Sequence, residues 1–175
     1  MKYKLLVLVI SVIIFIMGIF FVYKSSNDYE NVEEKAWQVI CDGTSDDVID
    51  MCPPNFFENL CEQVANSKNM SKSESETYIR NHIQKILNQV EIDDVDLYNY
   101  QVYDINDLPD DFYIDDIQEL FDEFNYDCTI SKVARVSVSY TYDNIFDDTY
   151  TDTNYLFKIG FKWYSFEILE LICDS

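Results

Sequence analysis

The first feature in the hydrophobic pattern is an apolar run, Leu5–Val22, broken only by Ser11 and Gly18. At helical rise it covers roughly 27 Å, close to the hydrocarbon thickness of a bilayer. Lys2 and Lys4 precede the run and Lys24 follows it, after which the chain turns acidic at Asp28, Glu30, Glu33 and Glu34. This asymmetry places the N-terminus in the cytoplasm by the positive-inside rule. Phe20, Phe21, Val22 and Tyr23 leave no small-residue cleavage site, so the run reads as an uncleaved signal anchor. The expectation is a single-pass cell-membrane protein. Residues 1–24 form the anchor, 25–29 a linker, and 30–175 one domain on the outside.

Beyond the linker the period is helical. Val32, Ala36, Val39 and Ile40, with Trp37 beside them, predict a helix that Gly43 ends. A second is expected after Pro53-Pro54, where Phe56, Phe57, Leu60 and Val64 line up. A third carries the stripe Tyr78, Ile79, His82, Ile83, Ile86, Leu87 and Val90, with Ser73 and Glu76 spaced as a capping box. Alternation over 95–105 then predicts a strand, with Leu97, Asn99, Gln101 and Tyr103 opposite Tyr98, Tyr100 and Val102. After Pro109 comes an acidic amphipathic helix with Ile114, Ile117, Leu120, Phe121 and Phe124 inward. Three strands close the chain. Ala134, Val136, Val138, Tyr140 and Tyr142 share one face of the first, and Tyr155, Phe157 and Ile159 alternate on the second. A Gly160-Phe161-Lys162 turn leads to a third with Tyr164, Phe166 and Ile168 on one side. Helices followed by a meander of strands mean an α+β domain, its helices packed on one face of a curved antiparallel sheet.

Charge narrows the function. All 33 acidic residues follow position 24, and Lys2, Lys4 and Lys24 account for three of the 12 basic ones, so the external part carries about −24. A phosphate backbone wants the opposite sign, which excludes nucleic acid as a partner. The acidic clusters Asp93-Asp94-Asp96, Asp110-Asp111-Asp115-Asp116 and Asp143-Asp147-Asp148-Asp152 lack calcium-loop spacing and read as solvated surface. No metal ligand set and no cofactor motif stand out, and the expectation is none of either. Nucleophile elbow, phosphate loop and dinucleotide fingerprint do not occur in the sequence.

The order of elements resembles the NTF2-like (cystatin-like) superfamily. The closing stretch 159–168, IGFKWYSFEI, is similar to the last hairpin of membrane-anchored bacterial domains of unknown function in that superfamily. There a glycine turn leads into a Lys-Trp-Tyr strand, matched here by Gly160, Lys162, Trp163 and Tyr164. The resemblance spans roughly residues 30–173 and implies a cone with an internal pocket, on a scaffold that hosts enzymes, binding modules and assembly domains alike.

Enzymes of this kind pair a histidine with an aspartate in the cone, but the single histidine, His82, sits on a helix stripe with no partner that the pattern names. Ligand-lining candidates are therefore Tyr140, Tyr155, Phe157, Trp163 and Tyr164 on the sheet, together with His82; core packing is the other reading of the same residues. Five cysteines are permitted disulfides outside the membrane. Cys41 with Cys52 or Cys61 would staple the first helices, while buried free thiols are the alternative. Cys128 and Cys173, placed at opposite ends of the meander, are too far apart to join. The functional expectation is a tethered binding or assembly module without catalysis, served by a protein partner or a small-molecule ligand. The alternative is an isomerase- or hydrolase-type enzyme using Asp and Tyr groups in the cone.

Overall fold

The computed structural model describes residues 28–109, 112, 114–142 and 149–173. The expected anchor at 5–22 and the loop at 143–148 lie outside them. Among the described residues no helix is long and apolar enough to cross a membrane.

The chain runs α1 (Tyr29–Asp42), α2 (Ser45–Asp50), α3 (Phe56–Lys68), α4 (Lys72–Leu87), β1 (Ile92–Asp104), α5 (Ile114–Glu123), β2 (Ile130–Tyr142), β3 (Thr149–Ile159), β4 (Lys162–Ser165) and α6 (Phe166–Cys173). The strands form one antiparallel sheet in the order β1-β2-β3-β4. It is an α+β domain.

Local chemistry explains the boundaries. α1 stops at Gly43, where a Cβ would lie 2.5 Å from the Val39 carbonyl oxygen, closer than any side chain tolerates. α2, which hydrophobic spacing alone does not reveal, starts on a capping box in which the Thr44 N–H donates to Asp47 Oδ2 at 2.9 Å. The capping box of α4 is formed by Ser71 and Glu74, two residues ahead of the expected Ser73 and Glu76: the Ser71 N–H donates to Glu74 Oε2 at 2.8 Å. Gly160 adopts φ +59°, the left-handed geometry a two-residue hairpin asks of its first residue, and Ile159 pairs with Lys162 across it.

β1 departs from simple alternation. Its register against β2 slips between Asp93 and Asp96 and again between Tyr98 and Gln101, where Asp94 (φ +45°) and Asn99 (φ +55°) take left-handed conformations. Each is a bulge, which adds twist and reverses the facing of every residue beyond it. Leu97 and Tyr100 therefore pack in the same cluster, although strict alternation places them on opposite faces.

The C-terminus differs most from the expected pattern. The last strand has only four residues, and from Phe166 the chain is helical. Ile168, Leu169 and Ile172 are all buried, a spacing that suits one side of a helix and not one face of a strand.

The sheet is covered on both sides, where a single helical layer is the expectation. Val133, Phe157 and Tyr164 join the large cluster built with α3, α4, α5 and α6, to which α1 adds Ala36, Val39 and Ile40 and α2 adds Val48. Ala134, Val136, Leu156 and Trp163 point the other way and pack under Tyr29 and Val32 of α1. The physical reason is that consecutive core residues, Val133-Ala134 and Leu156-Phe157, are all fully buried, and a strand must send neighbours to opposite faces. α1 supplies the second cover.

Replacing Phe157 with alanine should cost about 3–5 kcal/mol, and Ser71→Ala about 1 kcal/mol; urea unfolding measures both, and an effect of Phe157→Ala no larger than that of Ser71→Ala would contradict this account of the core.

Candidate functional site: an aromatic interior and a buried carboxyl pair

The six ligand-lining candidates do not form one surface. Tyr155, Phe157 and Tyr164 face the helical layer. Phe112 lies 5.0 Å from Tyr155, Phe121 lies 5.3 Å from Phe157, and Phe157 stacks on Tyr164 at 5.7 Å between centroids. Tyr140 and Trp163 are on the opposite face against α1, Tyr140 5.5 Å from Trp37 and Trp163 5.6 Å from Tyr29. His82 packs beside Tyr78 at 6.3 Å on α4, a helix that rests on α3, α2 and α6.

Among the described residues these rings pack together between sheet and helices. Phe56 makes edge contacts with Phe121, Phe124 and Tyr126 at 5.9, 5.8 and 5.4 Å. Such pairs add to the area term that buries them. A groove of about 470 Å³ reaches two of these rings, Phe121 and Tyr126, beside Cys128. One of about 550 Å³ between α1 and β1 carries Glu34, Trp37, Gln38, Asp42, Asp94 and Asp96. Another, of about 310 Å³, lies on the open sheet between Asn99, Gln101, Arg135, Ser137 and Thr153.

The most unusual chemistry is at a pair that hydrophobic spacing does not single out. Glu33 of α1 is fully buried against the sheet. Its Oε1 accepts a hydrogen bond from Asn154 Nδ2 at 2.8 Å, while Oε2 and the Trp37 indole Nε1 are both buried with no well-formed hydrogen bond, although Trp37 and Ser165 act as donors toward the carboxyl electrostatically. Glu167, at the start of α6, reaches the same place. Its Oε2 accepts from Ser165 Oγ at 2.8 Å and its Oε1 from the Tyr155 N–H at 3.2 Å. Burial raises the Glu33 carboxyl above the usual carboxylate range, opposed by Asn154, Ser165 and Trp37. Burial lifts Glu167 well above that range, and the neighbouring Glu33 charge lifts it further. Tyr100, on β1 beneath α1, is also raised, by burial first and then by Glu34, Glu33 and Glu30.

The sequence holds a trace of each acid. Glu33 falls on the same side of α1 as Ala36 and Ile40, at helical spacing from both, so a charge interrupts the apolar stripe. Glu167 is hidden by the strand reading: next to an inward Phe166 it would point to solvent, whereas the first turn of a helix turns it inward.

The cysteines are also rearranged. Cys52 and Cys61 are free thiols, so neither is bonded to Cys41 in this structure. Because α6 is a helix, Cys173 does not end a strand. It folds back beside Cys52, and after burial its proximity is the next cause holding the Cys52 thiol protonated. Burial likewise pushes Cys61 and Cys128 up to about 11.

No family model matches the chain, and no curated protein or solved structure is similar to it.

Alkylation by iodoacetamide near pH 8 should be roughly 100-fold slower at Cys61 and Cys128 in the folded chain than in urea, following the loss of thiolate. Peptide-resolved mass spectrometry reads the ratio, and equal rates in both states would show that these thiols ionise freely in the fold.

Proposed function

We propose that this chain is a membrane-tethered extracytoplasmic binding or assembly module on an NTF2-like frame, with residues 5–22 as its anchor and no catalytic activity of its own. The observation that carries this reading is the aromatic filling of the interior. Phe56, Phe121 and Phe157 are fully buried, Phe121 in ring contact with each of the other two, so among the described residues these side chains occupy the space between sheet and helices where a small substrate would have to bind. Recognition then falls to the surface. The β3–β4 turn presents Phe161 at 83% exposure, and an aromatic ring left in water is a natural anchor for a protein contact. The order of helices, strand, helix and antiparallel strands supports the NTF2-like frame, with the short β4 and the helical C-terminus as departures from it.

The enzyme reading draws on one specific observation, the Glu33–Glu167 pair, because acids with raised proton affinity serve proton transfer. Both groups, however, are engaged with Asn154, Ser165 and the Tyr155 backbone, and neither lines the grooves beside α1 or on the open sheet.

A photo-crosslinking residue at position 161 of the full-length protein in its native membrane should capture one defined partner or a second copy. Turnover of an ester, glycoside or ketone substrate by the purified chain, abolished in Glu33→Gln, would replace this reading with the enzymatic one.

A further inference from the structure

The carboxyl pair lies at the one place where α1 is held to the sheet across all four strands. Along α1, Tyr29 meets Tyr100 of β1 and Trp163 of β4, each at 5.6 Å; Glu33 meets Asn154 of β3 at 2.8 Å; and Trp37 meets Tyr140 of β2 at 5.5 Å. Glu33 is the centre of that contact. Ser165 and Glu167 bring α6 into the same network, so the first and last helices of the domain meet through two acids.

Little surrounds the pair that could neutralise it. α1 adds Glu30, Glu34 and the Tyr29 hydroxyl; β1 adds Tyr100; β2 adds Tyr140; β3 and β4 offer the neutral Asn154 and Ser165. Two bases lie on this side of the sheet: Lys158, held over the Trp163 ring at 5.6 Å, and the exposed Lys132, its register partner across β2 and β3. Ion pairs among the described residues join Lys72 to Glu58 and Glu62, and Arg80 to Asp46 and Glu76, without either member of the pair. A fully buried Glu33 beside a half-buried Glu167, with no counter-cation on either, is costly when both are ionised, and a proton is the smallest ligand that relieves the cost. Glu33 Oε2, fully buried and without a well-formed hydrogen bond, is where it would sit, with the Trp37 indole and the Ser165 hydroxyl the donors that oppose it.

We propose that Glu33 and Glu167 form a proton-operated clasp, in which a proton held within the pair locks α1 onto the sheet and its loss loosens α1. The sign follows from linkage. The folded chain keeps a proton that the unfolded chain releases above the ordinary glutamate range, so clasp stability is complete in acid and is lost as pH rises through the folded-state value. α1 directly follows the apolar run and linker of the sequence, so the clasp couples external pH to how firmly the domain is joined to its N-terminal segment. This inference rests on the membrane-tethered, external placement proposed above, but not on the binding role.

The test is hydrogen exchange of the full-length protein in lipid nanodiscs between about pH 5 and about pH 9, a window that spans ordinary and strongly raised glutamates. After correction for intrinsic rates, protection of α1 amides should fall by roughly tenfold per pH unit within part of that window, as release of one proton requires, while β2 amides at 133–136 hold theirs. Glu33→Gln and Glu167→Gln, which mimic the protonated acid, should flatten the profile and keep α1 protected in alkali. A profile for α1 that is flat in the wild type, or equally steep in the double variant, would overturn the clasp. Should the variants fail to fold, the wild type still decides: a protonated-carboxyl infrared band at neutral pH that disappears together with α1 protection supports the proposal, and absence of that band refutes it.

Discussion

Leu156 and Phe157 are neighbours in β3, and both are completely buried. A strand cannot bury consecutive side chains against a single layer, because it projects them to opposite sides. The rest of the fold follows from that requirement. One face of the β2–β3–β4 region needs the aromatic layer carried by α3 and α5, and the other needs Tyr29 and Val32 of α1, a helix whose Ala36, Val39 and Ile40 continue into the large cluster. Where a strand extends past the helices its burial ends: the first five residues of β3 are exposed, and only from Asn154 does the strand enter the core. Fully burying one large apolar side chain is worth about 1.5–3 kcal/mol, so the helices gather at the end of the sheet where such residues are concentrated.

Covering the second face has an electrostatic consequence. α1 brings Glu33 to the sheet beside Asn154, and the hairpin brings Ser165 and then Glu167 to the same point. Ionised carboxylates in a dry site are far costlier than protonated ones. The network therefore favours uptake of a proton, and the same geometry that closes the core makes closure sensitive to pH. An apolar residue at position 33 would relieve that cost, but it would leave Asn154, 4% exposed, without its acceptor. The acid and the amide serve each other, and each is costly alone.

Much of the architecture is legible in the sequence because it depends on local period. The stripes of α1, α4 and α5, the alternation of β2 and the glycine turn before Lys162 are short-range patterns, and they appear in the structure close to where the spacing puts them. What was not legible depends on context. Bulges at Asp94 and Asn99 reverse the facing of β1, and neither residue announces a bulge. The stretch FEILELIC satisfies a strand pattern and a helix pattern alike, and packing against β3 selects the helix. That one change moves Glu167 inward and Cys173 next to Cys52, so both the carboxyl pair and the cysteine arrangement escape a strand reading.

The apolar run at 5–22, the strongly acidic balance of everything after it, the α+β class and most of its elements can be read from the order of residues, since each rests on composition or on periods of a few residues. The tertiary structure alone decided which face each strand residue occupies, that Tyr155, Phe157 and Tyr164 are separated from Tyr140 and Trp163 by the sheet itself, and that two glutamates 134 positions apart in order, Glu33 and Glu167, belong to one buried network. The division has a simple physical origin: local spacing sets which side of an element is apolar, whereas the partner of that side is chosen by the global closure of the core.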